Sequence, residues 1–175
     1  MHTSPSGLRA PDVFVVPLAS RRLTGAIREL VESLWLAGKI PFVDPVYEAV
    51  IERESRHGTQ LADGIAAPYA RLEALSGIAY GIGISPYGID PDNGSTDRIR
   101  LVMLSVSGLA SVAEHVSLLA GIDRTASCAD VFDCLKGAHT PEEAATCFPS
   151  ATGRYRTRFT SLFAPLTPQP VYELV

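Results

Sequence analysis

The apolar residues in the first third of the chain predict one strand followed by two helices. The run from 13 to 18 is rich in β-branched residues and has a proline near its end, which is typical of a short strand. In the next segment, apolar residues recur at intervals of three and four and the pattern closes at Gly38, a suitable helix cap. Asp44 and Pro45 are suited to the N-cap and first turn of a second helix, which should end before Gly58.

The middle of the chain shows the patterns of strands. The segment 64–69 consists mainly of small residues and contains Pro68, which predicts a strand end or a sheet edge at that proline. The segment 77–84 alternates small and larger residues, and the segment 98–106 becomes apolar throughout, so we predict two strands, the second of them central. Turn-forming residues at 87–95 predict an exposed loop between these strands.

The following third of the chain is predicted to be helical. An apolar stripe at helical spacing is formed by Leu109, Val112, Val116 and Leu119. His115 lies beside this stripe, and Gly121 is the predicted end of the helix. A further helix is expected from about Ser127 up to Gly137, and the sequence 140–143 combines a capping box with a proline suited to the first turn of another.

Strands interspersed with helices predict an α/β fold: a single domain with one mixed β-sheet and helices on both faces. The length of 175 residues fits one such domain. Its predicted bounds are 13–148, with a flexible leader at 1–12 and an extended C-terminal arm at 149–175. The arm has four prolines and three arginines without a clear period, so the arginines are either a basic interaction segment or simply solvated.

Composition excludes several classes of protein. Fifteen basic and nineteen acidic residues give a net charge of −4, which argues against a general nucleic-acid binder, because that function needs a basic face. No apolar run approaches the roughly 18 to 20 uncharged residues of a membrane helix, and the first twelve residues do not resemble a signal peptide. A cytoplasmic location is therefore expected.

The residues that commonly bind metals or cofactors are scattered. Cys128, Cys134 and Cys147 fit no zinc or redox spacing, so they are expected to be reduced and structural. The four histidines place no pair on one helix face, and the pair Gly81 and Gly83 lacks the third glycine and the following helix of a dinucleotide-binding loop. Neither a metal nor a cofactor is expected.

One segment carries more specific information. From Arg53 to Arg71 the chain reads Arg-Glu-Ser-Arg-His-Gly-Thr-Gln-Leu-Ala-Asp-Gly-Ile-Ala-Ala-Pro-Tyr-Ala-Arg. It resembles the signature of the fructose/mannitol-type enzyme IIA domains of the bacterial phosphoenolpyruvate-dependent sugar phosphotransferase system, including the nitrogen-regulatory members. Their pattern of Arg-Glu, Gly/Ser-Thr and Gly-Ile-Ala-x-Pro-His-Ala-Arg aligns here without a gap. The resemblance extends over 13–148, through the loop at 87–90, the strand at 99–106 and the Glu-His helix at 114–120.

The sequence departs from that family pattern at one position. Tyr69 stands where the family has the histidine that accepts a phosphoryl group from the histidine-phosphocarrier protein. A phosphohistidine is labile and can be passed on, whereas a phenol forms a stable phosphate ester and is mostly protonated at neutral pH. The resemblance therefore implies that Tyr69 is not a reversible relay.

The resemblance also assigns the neighbours of this position. Arg53 corresponds to the arginine near the phosphohistidine, Thr59 to a hydroxyl of the site, and His115 to a second histidine that hydrogen-bonds the phosphoryl group. Arginine offers a forked set of donors to phosphate oxygens, so an anion pocket can outlast the loss of the nucleophile. Each residue also fits an ordinary role: Arg53 as an ion-paired helix residue, Thr59 in a turn, and His115 as a packed histidine.

Three functions are compatible with these residues. The first is a degenerate enzyme IIA-like domain, unable to relay phosphoryl groups, that regulates or binds a protein partner such as the phosphocarrier protein or a regulated transporter or kinase. The alternative is an active phosphocarrier that accepts a phosphoryl group on Tyr69, His57 or His115. The third is a binding module for a small anionic metabolite. The residue at position 69 favours the first.

Overall fold

The structure is a computed structural model in which residues 8–61, 64–126 and 129–148 are described. In chain order the elements are β1 (Val13–Val15), α1 (Leu23–Leu36), α2 (Asp44–Arg56), β2 (Gln60–Leu61), β3 (Ile65–Ala66), β4 (Tyr69–Leu72), β5 (Ile78–Ile89), β6 (Ile99–Gly108), α3 (Val112–Ala126), α4 (Ala129–Gly137) and α5 (Pro141–Thr146). The predicted single α/β domain is confirmed. In the described part of the chain, no helix is both long and apolar enough to cross a membrane.

The strands form one mixed sheet in the order β1-β5-β6-β3-β2, with β4 also paired to β6. Strand β1 runs parallel to β5, β5 is antiparallel to β6, and both β3 and β4 are parallel to β6. Strand β6 thus has partners on both of its edges, as its almost uniformly apolar sequence predicts, because a central strand is covered on both faces.

The sheet separates two apolar cores. One core lies between the sheet and helices α1 and α2, and it includes Ile27, Leu30 and Val50. The other lies between the sheet and helices α3 to α5, and it includes Ile82 and Phe148. Alternating residues of the strands supply the two cores, so helices cover both faces of the sheet as predicted.

Pro68 divides one extended stretch into two strands. Ile65 and Ala66 pair with β6 before the proline, and the four residues that begin at Tyr69 pair with the same strand after it. Proline has no N–H to donate, but the carbonyl of Pro68 still accepts a hydrogen bond of 3.1 Å from the Ser105 N–H. The predicted break at the proline is confirmed, and it places Tyr69 at the start of β4.

The end of β5 and the start of α2 differ from the sequence prediction. Strand β5 continues to Ile89, which pairs with Ile99, so the predicted loop at 87–95 begins later than expected. Helix α2 begins at Asp44 itself, and Val43 precedes it without a side-chain cap. The carboxylate of Asp44 instead accepts a 2.8 Å hydrogen bond from Arg28 of α1, which joins the two helices.

Helix α3 buries a different face from the predicted one. The expected stripe is largely exposed: Leu109, just before the helix, is 49% exposed, and Val112 and Val116 are 45% and 58% exposed. The buried face consists of His115, Leu118, Gly121, Ile122 and Thr125. The helix also continues past the predicted end at Gly121 to Ala126. The side of α3 that faces the core is therefore not the side that the apolar stripe predicted.

Cys134 and Cys147 form a disulfide, so the expectation that they are reduced is wrong. Their Cα atoms lie 5.9 Å apart, because the chain returns to α4 at the end of α5. Sequence spacing does not reveal this return of the chain, since the pair matches none of the short cysteine motifs. Cys128 lies outside the described residues.

The predicted leader at 1–12 is part of the packed structure from residue 8 onward. Leu8 is buried in the core with Phe14, and Arg9 forms an ion pair with Asp12. The expected start of the domain at Val13 is therefore too late. Residues 1–7 and the predicted arm at 149–175 lie outside the described part of the chain.

Candidate functional site

The candidate site lies at an edge strand of the sheet, between the two helical layers. Among the described strands, β4 pairs with β6 alone, which leaves its other side open. Ala70 and Leu72 pack into the core of α1 and α2, so Tyr69 and Arg71 project from the opposite face, because successive side chains of a strand alternate. A residue from α2 can thus reach around the edge and meet residues of α3.

Arg53, in the last turn of α2, holds the side chain of Tyr69. Its Nη2 donates a 2.6 Å hydrogen bond to the tyrosine hydroxyl, and its Cζ lies 4.7 Å from the centroid of the tyrosine ring. Its Nη1 donates a 3.3 Å bond to the carbonyl of His57, which ends the helix. Both ends of the guanidinium are therefore engaged, one by the phenol and one by the backbone.

His115 of α3 lies against the same tyrosine. The two ring centroids are 5.3 Å apart, with the rings inclined by 58°. His115 is only 3% exposed, and its Nδ1 shares a 2.9 Å hydrogen bond with Oγ of Ser107 on β6. Arg53, Tyr69 and His115 thus converge through direct contacts made by three different elements.

The environment of His115 keeps its ring neutral. Burial, and secondarily the positive charge of Arg71, lower the pKa of His115 below its usual value, so the imidazole is uncharged at pH 7. A neutral imidazole carries one N–H and one lone pair. Ser107 is bound to Nδ1, and within the described structure Nε2 is buried without a hydrogen-bond partner.

The residues that pair with Tyr69 and Arg71 are polar, although they belong to the central strand β6. Ser105 pairs in register with Tyr69, and Ser107 pairs with Arg71. Both serines are fully buried, and in the described part of the chain the Ser105 hydroxyl has no hydrogen-bond partner. Buried polar atoms without partners are uncommon, and among the described residues the Ser105 hydroxyl and Nε2 of His115 both belong to neighbours of Tyr69.

The other two candidate residues point elsewhere. Thr59 donates a 2.5 Å hydrogen bond from its hydroxyl to Glu54, whose carboxylate also accepts a 2.9 Å bond from the Thr59 N–H. The hydroxyl proton of Thr59 is therefore used within its own turn. His57 is exposed at the end of α2, and it meets Arg53 through its backbone carbonyl and not through its ring.

Sequence reasoning missed three participants in this arrangement. Ser107 and Arg71 flank His115, and Glu54 holds Thr59. A signal for the first was present, because Ser105 and Ser107 interrupt the apolar run of β6 at alternate positions on one face. A signal for the other two was present as well, because Glu54 and Arg71 belong to the quoted motif, as the glutamate of Arg-Glu and as its last arginine.

Arg71 connects the site to the exposed apolar residues of α3. Its Nη2 donates a 3.1 Å hydrogen bond to the carbonyl of Leu109. We call Leu109, Val112 and Val116 the α3 strip; Val112 and Val116 are four residues apart and therefore share one side of the helix.

Among the described residues, no three or more histidine, cysteine, aspartate or glutamate side chains are grouped so that they could hold a metal ion.

Comparison with known proteins agrees with this architecture. No protein-family model matches the chain. The chain is 27% identical over 118 residues to the phosphotransferase-system fructose-specific EIIA component of Haloferax volcanii, a match that covers 67% of this chain and 77% of that protein.

Solved structures share the fold. The nitrogen regulatory protein IIA-Ntr of Neisseria meningitidis superposes with a TM-score of 0.68 at 16% identity, covering 78% of this chain and 92% of that one. Enzyme IIAMtl of Escherichia coli, solved in complex with phosphorylated enzyme IIBMtl, superposes with a TM-score of 0.66 at 19% identity and covers 81% of this chain and 97% of that one. The resemblance to fructose/mannitol-type enzyme IIA domains is confirmed, and the chain has the fold of these domains.

Proposed function

We propose that this enzyme IIA-like domain does not relay phosphoryl groups, and that it acts as a regulatory or partner-binding module that retains the anion pocket of its relatives. Tyr69, Arg53 and His115 are the residues of that pocket. Thr59, which the resemblance also assigns to it, donates its hydroxyl proton to Glu54 instead. The domain works without a cofactor. We place it in the cytoplasm, where phosphoenolpyruvate, the donor of the phosphotransferase system, is found.

The observation that carries this proposal is the hydrogen bond from Arg53 to the hydroxyl of Tyr69. The motif from Arg53 to Arg71 aligns the tyrosine with the phosphoacceptor of the resembling family. The arginine donates to its hydroxyl at 2.6 Å, so the strongest anion donor of the pocket is engaged by the side chain of Tyr69. The tyrosine also lies over His115, which is almost completely buried. The alternative phosphocarrier function needs an exposed histidine in the pocket. His57 is exposed but its ring lies outside the pocket, and His115 lies in the pocket but is buried.

Incubation of the chain with phosphoenolpyruvate, enzyme I and the histidine-phosphocarrier protein tests this directly. We expect the intact mass to stay unchanged, whereas an active enzyme IIA domain treated in parallel gains the phosphoryl group, about 80 Da. An acid-labile gain on this chain would identify a phosphohistidine and establish the active phosphocarrier. An acid-stable gain would make Tyr69 itself the acceptor, and either result would overturn the proposal.

The α3 strip supports the partner-binding half of the proposal. Its three apolar side chains are between 45% and 58% exposed, and Arg71 bonds the carbonyl of Leu109 at one end of the strip. Exposed apolar residues of this kind are typical of a contact surface. Enzyme IIAMtl, which shares this fold, was solved bound to another protein of its system. We take the phosphocarrier protein as the partner, because the motif that the chain retains belongs to domains that receive a phosphoryl group from that protein.

Replacing Val116 by aspartate is expected to weaken binding of the phosphocarrier protein by about tenfold, because the carboxylate loses water on contact with an apolar surface. Isothermal titration calorimetry measures the effect. Leu36→Asp is the matched control, because Leu36 is 52% exposed on α1 in the opposite helical layer. An equal loss of affinity in both variants would exclude the α3 strip as the binding surface. If the chain binds enzyme IIB and not the phosphocarrier protein, enzyme IIB is the partner instead.

A further inference from the structure

The disulfide between Cys134 and Cys147 links two elements of the helical layer that carries His115. Cys134 lies in α4, and Cys147 follows directly after α5. The segment between them contains the turn at 138–140 and the whole of α5. The bond therefore closes a small loop around the last described helix.

The two cysteines differ in their access to solvent. Cys134 belongs to the exposed side of α4, whereas Cys147 is only 7% exposed. A thiolate breaks a disulfide by attacking one of its sulfur atoms, and the sulfur that it reaches is decided by access. The geometry points to Cys134 as the attacked residue and Cys147 as the leaving group.

Helix α5 depends on its attachments. It has six residues, too few to be stable on its own. Its start is capped by the Thr140 hydroxyl, which accepts from the Glu143 N–H at 3.1 Å. Its end is held by the disulfide and by Phe148, which is fully buried and lies 6.0 Å from the ring of Phe14. Cys147 and Phe148 are adjacent, so the covalent and the apolar attachments act at the same point.

We propose that this disulfide is a site of thiol–disulfide exchange, and that its opening releases α5 and Phe148 from the core. The chemical class of its reagent is a dithiol reductant, small or protein-borne. This inference is independent of the proposed function, because it uses none of the pocket residues.

The exchange proceeds in two balanced steps. A thiolate of the reductant attacks Sγ of Cys134 and forms a mixed disulfide, and the bond to Cys147 breaks with that sulfur leaving as a thiolate. The second thiolate of the reductant then displaces Cys134. The protein takes up two electrons and two protons to give two thiols, and the reductant becomes a disulfide.

Hydrogen exchange measured by mass spectrometry tests the release of α5. We expect reduction to speed the exchange of the α5 amides at least about tenfold, since local opening then lacks its covalent restraint. The reporting amides include those of Ala144, Cys147 and Phe148, which donate to carbonyls within the same turns. The amides of β5 and β6 should exchange at the same rate in both states.

Matched variants separate the disulfide from a general effect of the reductant. Cys134→Ser, at the exposed position, should exchange like the reduced protein and show no response to reductant. Cys128→Ser should keep the full response. Unchanged exchange in α5 on reduction, or three free thiols in protein purified without reductant, would overturn the proposal.

The site of attack is tested separately in the Cys128→Ser background. Brief treatment with glutathione followed by acid quenching traps the mixed disulfide, and peptide mapping locates it. We expect the glutathione on Cys134. An adduct on Cys147 would refute the assigned direction of attack.

Discussion

Replacing Tyr69 by histidine is expected to give the chain an acid-labile phosphoryl group, about 80 Da, in the assay with phosphoenolpyruvate, enzyme I and the phosphocarrier protein. The imidazole supplies the nucleophile that the tyrosine lacks. Arg53 loses its phenol partner and becomes free to bind the phosphoryl oxygens, and His115 already contacts this position. Intact mass spectrometry before and after acid treatment measures the label.

Second substitutions in that variant test the neighbours. Arg53→Ala is expected to slow labelling about 100-fold, since a positioned charged donor typically contributes that much to a transfer. Thr59→Val should slow it much less, because the Thr59 hydroxyl donates to Glu54. A folded Tyr69→His protein without any label would show that the chain has also lost the docking surface for the phosphocarrier protein.

Replacing Phe148 by alanine is expected to lower the free energy of unfolding by about 3 to 5 kcal/mol, the usual cost of removing a buried aromatic side chain. Phe148 is fully buried and is the last described residue of the core. Its ring packs with Phe14 of β1, so its loss opens a cavity between α5 and the edge of the sheet. Urea denaturation of the disulfide-bonded protein measures the change.

Tyr87→Ala is the matched control for this measurement. Tyr87 is also aromatic but is 94% exposed, so its removal should change stability by no more than about 0.5 kcal/mol. A loss below about 1 kcal/mol for Phe148→Ala would mean that the core ends before this residue. The predicted domain boundary at 148 would then have to move toward the N-terminus.

The type and order of most elements can be predicted from the sequence, because their signals are local. The helical period of α1, the apolar run of β6 and the break at Pro68 each follow from a few neighbouring residues. The capping box before α5 is of the same kind, and Thr140 caps the helix as expected. The motif around Tyr69 also led to the enzyme IIA-like fold without knowledge of any contact.

The buried face of α3 is set by packing and hydrogen bonds that are formed in the folded protein. Leu109, Val112 and Val116 form the more apolar stripe, yet the buried face contains His115 and Thr125. These two polar residues can be buried because Ser107 bonds His115, and Thr125 donates 2.8 Å to the carbonyl of Gly121. A prediction from the number of apolar residues takes no account of such hydrogen bonds, so it selects the wrong face of α3 as the buried one.

The candidate site and the disulfide were likewise decided by contacts between distant parts of the chain. Arg53 reaches Tyr69 because β4 is an edge strand, and His115 meets the same ring from the other helical layer. Cys134 meets Cys147 because the chain returns to α4 at the end of α5. Periodicity reports only how a residue relates to its near neighbours along the chain. Which distant side chains meet is decided by the packing of whole elements, and that packing exists only in the folded sheet.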